Sequence, residues 1–290
     1  VIVGVDYASV DGNAPPDWDV FQAACSSSGS SAGIAIFRGA YGASPDATVL
    51  RDWRRAQAAG LVTGAYLFLR SSQPVVDQVH AFADNVGVLT ARDLVPILDV
   101  EDQWPGGPEA ELEAVHEAWT AMKGIYGAPP MIYDSGRVWL EDLHSLPAGE
   151  MLDSAQWVAK PWPWAVHKPA MLSPGPFQGT TYDPVVPAPW GPGNWWLHQY
   201  QGDAHPVPGF TNTVDLSRFH LMQYGETGAR VRWVQTRLGM PVTGIFDSAM
   251  GTRVRAFQTA HGLVADAVIG PRTFVLIAWA TPITSSPRAA

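Results

Sequence analysis

Through the first half of the chain, short apolar and β-branched runs alternate with longer stretches whose apolar residues recur at helical spacing. The runs at residues 2–6, 33–37, 63–69, 94–100 and 130–133 have the length of strands, and several are apolar at successive positions, as in strands covered on both faces. Between them, residues 17–24, 47–59, 74–86 and 108–126 read as helices, the last opened by Pro108 and Glu109 at a first turn; 138–143 is a shorter candidate. Strand and helix in turn predict βα units around a parallel sheet or barrel. After about residue 145 proline, glycine and tryptophan become dense, and only 155–159, 195–200 and 214–216 read as strands. Helices are not expected there, so plain β-strands should complete the barrel.

Residues 229–280 follow another pattern. Val231, Val234 and Leu238 recur at helical spacing, as do Val254, Phe257 and His261, and residues 273–279 make a third apolar helix. The connectors 239–247 and 262–270 resemble each other, which hints at an internal repeat. The expected fold class is α/β: a (β/α)-type barrel completed by plain β-strands, followed by a small all-α three-helix domain. Its expected divisions are residues 1–221, a short linker of little freedom at 222–228, and 229–282.

Composition narrows the class. The chain has 290 residues, 47% hydrophobic and 16% charged, enough for one large core and a smaller one. No apolar run approaches the roughly 18 residues of a membrane span, so no membrane is expected. The chain enters directly on the strand-like Val1 to Val5, as if any signal peptide had been removed. Its single cysteine, Cys25, excludes an intramolecular disulfide, and without a histidine context it reads as a small buried residue rather than a nucleophile. From Glu226 onward three acids stand against seven arginines, a net of +4, which leaves −13 of the total −9 on the first 225 residues. An acidic front and a basic tail suggest two domains with different tasks. Neither part has a basic stripe with interleaved aromatics, so nucleic acid is not expected as a partner.

Chemistry concentrates where apolar runs end in acids. Residues 94–100 lead into Asp99, Glu101 and Asp102, and in a strand positions i and i+2 share a face, so Asp99 and Glu101 project together with Cα atoms roughly 6 to 7 Å apart. Asp102 points the other way. Asp6 ends the first run and Asp215 a short later one. With the same sense in one barrel, Asp6, Asp99, Glu101 and Asp215 converge on one mouth. Crowded carboxylates raise one another's proton affinity, so one should stay protonated near neutrality while another is ionised, the arrangement that cleaves a glycosidic bond. The plain alternative is a structural ion-pair network. Tyr66, Phe68, Tyr133, Trp157, Trp196 and Tyr200 lie in or near strand ends, and with 13 tryptophans the chain has many flat faces for sugar rings, although each could equally be core packing. His198 reads as a hydrogen-bonded barrel residue. An all-carboxylate cluster can hold calcium or magnesium, but no EF-hand loop or histidine-rich spacing supports one, and no G-x-S-x-G elbow is present; neither metal nor cofactor is expected.

At these residues the chain resembles family 25 of the glycoside hydrolases, lysozymes that cut peptidoglycan between N-acetylmuramic acid and N-acetylglucosamine. The resemblance is carried by Gly4 to Asp6, Ala65 to Phe68, Pro96 to Glu101, Met131 to Tyr133, Trp196 to Tyr200 and Val207 to Phe219, in the family's order. It implies Glu101 as general acid and Asp99 as its ionised partner, acting either as nucleophile or by orienting the substrate's acetamido group. Asp6 and Asp215 would set the pocket's charge and position sugar or water. The chain departs from the family at Asp6-Tyr7-Ala8-Ser9, at Tyr66-Leu67-Phe68 and at Arg38-Gly39-Ala40-Tyr41-Gly42, where many members carry an acid near a threonine. Residues 231–273 resemble the three-helix peptidoglycan-binding family, with Asp247 and Ala267 where that family usually has glycine. Of the two turns, the one at Ala267 is the one expected to be altered, because alanine tolerates a left-handed conformation less well than aspartate.

The reading that follows is a monomeric muramidase, secreted or serving phage lysis, whose partner is bacterial peptidoglycan and whose small domain keeps it on the wall. Removing residues 226–290 should then weaken wall binding more than turnover of short soluble glycans. Two other readings are a wall-binding protein with a decayed barrel, against which the four acids speak, and a glycosidase acting on another amino sugar polymer such as chitin.

Overall fold

Alternation of strand and helix winds the chain into a curled sheet with helices outside it. A computed structural model describes residues 2–8, 15–27, 33–134, 157–159, 193–204 and 206–280. Its elements in order are β1 (Ile2–Tyr7), α1 (Trp18–Ser27), β2 (Ile34–Tyr41), β3 (Ser44–Pro45), α2 (Val49–Ala58), β4 (Val62–Phe68), α3 (Val75–Val86), β5 (Ile97–Asp99), α4 (Pro108–Tyr126), β6 (Met131–Asp134), β7 (Trp157–Ala159), β8 (Leu197–Ala204), β9 (Val214–Phe219), α5 (Ala229–Arg237), α6 (Ser248–Ala260) and α7 (Pro271–Trp279). The helix expected at 138–143 lies outside the described residues, as do most of those between 135 and 192.

Strands β2, β4, β5, β6, β7 and β8 pair in parallel in that order, and β9 runs antiparallel to β8. β1 pairs antiparallel with β9 and parallel with β2, so the ladder returns to where it began. Strand β5 is only three residues long where seven were expected, because Leu94 pairs with Thr63 before Pro96, which has no amide hydrogen, interrupts the ladder. Every second residue points outward under the helices: Val3, Val5, Phe37, Ala65, Leu67, Leu98 and Ile132 pack against Phe21, Trp53, Phe82, Val115 and Trp119. Cys25 is buried in this layer, and burial pushes its thiol up to about 12, which removes it from nucleophilic chemistry.

The inward face belongs to a second apolar cluster. Ile34, Ile36, Val62, Ile97, Met131, Leu197 and Phe219 share it with Val231, Trp233, Val234, Phe246, Phe274 and Ile277 of the C-terminal helices. The three helices are docked on the sheet rather than strung from it. Trp196, just before β8, lies 4.6 Å from the Phe274 ring and 6.0 Å from that of Trp233. Arg230 sits over Trp196 and donates to the carbonyl of His220 and, at 2.6 Å, to Glu226. Asn194 Oδ1 accepts from the amide hydrogens of Ala229 and Arg230, capping α5 from outside the helix. At α7, the Trp279 indole donates to the carbonyl of Asp93 at 2.8 Å and Arg272 to that of Gly60 at 3.1 Å. Gly60, Asp93 and Trp196 all precede strands, so the helices cover the end of the sheet where its parallel strands begin. Residues 222–228 hydrogen-bond into the helical region through Met222 with Ile269, Gly225 and Glu226 with Phe246, and Gly228 with Gly244. They are a seam and not a free tether.

The internal repeat is real, with a period of twenty-three residues. Gln235 is buried, accepts from the amides of Thr243 and Gly244 and donates to the carbonyl of Ile245. Gln258 does the same for Ala267 and Val268. Gly244 has φ +73° and its counterpart Ala267 φ +65°, so the second turn keeps its shape despite the alanine, contrary to the expectation from sequence. The Gln258 bond holds it there against the roughly 1 to 2 kcal/mol that a left-handed L-residue costs. Asp247 is extended, and its carboxylate accepts from the amide of Met250 as the N-cap of α6.

Three outcomes follow from this packing. Ending the chain at Gly225 uncovers Trp196, Phe219 and Met222, each worth roughly 2 kcal/mol or more of burial, so the shortened chain should melt well below the full one. Ala267→Gly should raise stability in urea by about 0.5 to 1 kcal/mol, the left-handed strain being partly offset by the greater unfolded entropy of glycine. His220 supplies the third. Burial, with Arg230 and Arg218 nearby, lowers this imidazole to about 3, while the unfolded chain takes up its proton near pH 6.5. Stability from this group is full above about pH 6.5 and is lost as pH falls towards 3. Between pH 7 and 5 the urea midpoint of His220→Gln should fall less than that of the unaltered chain.

Candidate active site

The opposite end of the sheet, where its parallel strands finish, carries the acids. Backbone bonds run to the tip of β5: Leu69 N–H donates to the carbonyl of Asp99 at 3.0 Å, and Val100 N–H to that of Tyr133 at 2.9 Å. Asp99 is thereby fixed between Phe68 on β4 and Tyr133 on β6, its register partners. Glu101 follows at the same face, two residues on, and is less buried than Asp99. Across the ring, Asp6 and Asp215 are directly opposite each other on the antiparallel pair β1 and β9. Facing side chains in such a pair have Cβ atoms about 4.5 to 5.5 Å apart, so the backbone ladder holds two carboxyl groups together.

All four acids line one cleft of about 410 Å³, with Tyr66, Phe68 and Tyr133 also in its wall. Ile36, Ile97 and Ser217 close it from beneath. Tyr133 lies among the converging acids. Its hydroxyl is pushed well above the usual phenol range, first by burial and then by Glu101, Asp99, Asp215 and Asp6, all four acting on the one group. The phenol therefore stays protonated and remains a donor among acceptors. Gln199 Nε2 supplies another donor, to Asp215 Oδ2 at 2.5 Å. Among the described residues no group of three or more His, Cys, Asp or Glu side chains is disposed to hold a metal ion.

Asp102, three residues beyond the end of β5, does not line the cleft. It accepts from Arg70 at 2.8 Å and from the amide and hydroxyl of Ser71. Burial works against its charge, but these donors hold the carboxyl below its ordinary range. His198 is buried and accepts at Nδ1 from Arg218 Nε at 3.3 Å.

Two expected sugar contacts are corrected. Trp196 is 1% exposed and stacks on the C-terminal helices at the far end of the sheet. Tyr200 is 4% exposed and faces outward into the layer beneath the helices, because on β8 it is Gln199 that alternation turns to the cleft. Trp157 opens β7, and its side chain lies outside what the structure describes.

The cleft also contains residues that sequence reasoning passed over: Arg38, Tyr41, Gln199 and Thr213. Arg38 stands beside Tyr66 in register, and the pairing then skips Gly39. This bulge turns Gly39 outward, where a Cβ would lie 2.6 Å from Phe82 and Val86, and lets both Arg38 and Tyr41 reach the cleft. Tyr41 stacks on Phe68 with ring centres 4.8 Å apart, extending the aromatic wall. Arg38 could have been found from its spacing of two from Ile36; the bulge that delivers Tyr41 leaves no comparable mark.

Residues 5–210 match the family described as glycosyl hydrolases family 25, and residues 227–277 a putative peptidoglycan binding domain. Among curated proteins nothing matches. Solved structures of similar fold include a bacterial lysozyme from Streptomyces coelicolor, 21% identical over 76% of this chain and 92% of its own, with a TM-score of 0.59. A muramidase from Trichobolus zukalii is 19% identical over 76% and 94%, with a TM-score of 0.57. A family 25 glycosyl hydrolase from Bacillus anthracis is 17% identical over 76% and 89%, with a TM-score of 0.57. At these identities the likeness is one of fold.

Proposed function

The chain belongs to family 25 of the glycosyl hydrolases, and from that premise we propose that it is a muramidase, hydrolysing peptidoglycan between N-acetylmuramic acid and N-acetylglucosamine while its C-terminal region holds the wall. The observation that carries the reading is the convergence of Asp6, Asp99, Glu101 and Asp215 on one cleft around the Tyr133 hydroxyl. In this reading the curled sheet is a barrel of βα units completed by plain strands. Residues 1–221 form its catalytic domain, 222–228 the link, and 229–282 the wall-binding domain. It acts outside the cytoplasm, as a secreted or lysis enzyme.

Glu101, at the more open edge of the cleft, is the general acid that protonates the leaving oxygen. Asp99, deeper and fixed between Phe68 and Tyr133, is the ionised partner, stabilising positive charge at the anomeric carbon directly or through the acetamido group. Asp6 and Asp215 hold sugar or water, with Gln199 orienting Asp215. Tyr66, Phe68 and Tyr133 give flat faces for the sugar rings.

Purified peptidoglycan incubated with the protein should yield new reducing ends that borohydride converts to muramitol. Glucosaminitol in its place would make the enzyme a glucosaminidase and overturn the assignment. Glu101→Gln should lower turnover by about 10³-fold, within the range for loss of a general acid, and leave the melting temperature near that of the unaltered chain. Activity surviving that change removes Glu101 from the role.

A further inference from the structure

The substrate class creates an electrostatic problem for this cleft. Peptidoglycan carries carboxylates on the lactyl arm of its muramyl sugar or on the peptide stem attached there, and the cleft that would receive it is lined by four acids. Like charges brought into a partly dry cleft repel more strongly than in water. Among the described residues of the lining there is one cation, Arg38. It stands on β2 beside β1, which carries Asp6, and its register partner is Tyr66, so it occupies the wall between the acids and the aromatic face.

Arg38 has donors to spare. Its one ion pair, from Nη2 to Asp46, is long at 3.4 Å, and its side chain is 16% exposed. Its Nε is buried with no hydrogen-bond partner, a costly state for a guanidinium unless something else accepts from it. Asp46 is engaged elsewhere as well, accepting at Oδ1 from the amide and hydroxyl of Thr48. Tyr41 adds a ring beside the guanidinium, 5.7 Å away, and the bulge at Gly39 is what brings both to the cleft. Arg70 lies over the outer side of the same ring but is committed to Asp102 at 2.8 Å.

We propose that Arg38, braced by Tyr41, is a specificity-determining residue that receives a carboxylate of the substrate's lactyl or peptide arm and so admits an anionic glycan to an acidic cleft. The inference rests on the muramidase reading. A guanidinium meeting a carboxylate forms charge-assisted bonds that a neutral amide cannot reproduce.

The test uses the full chain and peptidoglycan strands stripped of peptide by an amidase, with the lactyl carboxylate either free or converted to its methyl amide. A second pair carries dipeptide stems whose terminal glutamate has both carboxylates free or both amidated. For one of the pairs, kcat/KM should favour the anionic member by about tenfold, mostly through KM, and the ratio should shrink with added salt. In Arg38→Gln that ratio should fall to about one, and Arg38→Lys should restore part of it. The pair that responds identifies which carboxylate is read. A ratio near one in the unaltered enzyme on both pairs, or a ratio that Arg38→Gln leaves in place, overturns the proposal while leaving the muramidase reading intact. Failure of the unaltered enzyme to release muramitol ends from any strand overturns the reading itself, and this inference with it.

Discussion

A crowding of carboxyl groups organises this molecule. Asp6 and Asp215 are locked opposite each other by the β1–β9 ladder, and Asp99 and Glu101 are brought to the same small space from β5. No local preference favours that crowding, since like charges facing each other across a strand pair are destabilising. It persists because the strands that bear the acids are held along their length by backbone bonds and by apolar layers on both faces. Tyr133 and Gln199 then meet the acids with donors, and Arg38 brings a countercharge. The cleft is thus a crowded region borne by the rigid body beneath it.

The C-terminal helices are part of that body. Their core is continuous with the inside of the curled sheet through Trp196, Phe219 and Phe274. Asp93 shows how closely the two are joined: its carboxylate gathers Trp53, Gln57, Thr63 and Thr90 under the sheet, while its carbonyl accepts from Trp279 of the last helix. One residue therefore links the start of β5, whose other end bears Asp99, to the helical region.

Much of this was legible from the chain itself. Apolar runs ending in acids marked β1 and β5, because a covered strand needs apolar residues at successive positions and a reason to stop. The α4 helix was read from residue 108 to 126, as it is built, from its apolar spacing and its Pro108-Glu109 first turn. Errors fell where a residue's neighbours come from far along the chain. Trp196 looked like a sugar platform because a buried tryptophan and a binding one have the same sequence signature, and only docking by Phe274 decides between them. Tyr200 was misread by one step of strand parity. The bulge at Gly39 depends on the approach of Phe82 and Val86 from α3, and Ala267 keeps its left-handed turn because Gln258 bonds it from another helix. Neither cause is local.

The docking of the helices at the end of the sheet opposite the acids has a consequence for work on a solid substrate. Asp93 at one pole and Asp99 at the other are six residues apart, roughly 20 Å of extended chain at most. With a seam in place of a tether, the cleft has no leash on which to sweep the surface around a fixed attachment point. If the helical region holds the wall as proposed, the cleft meets only what passes at the distance and angle set by the molecule's own length.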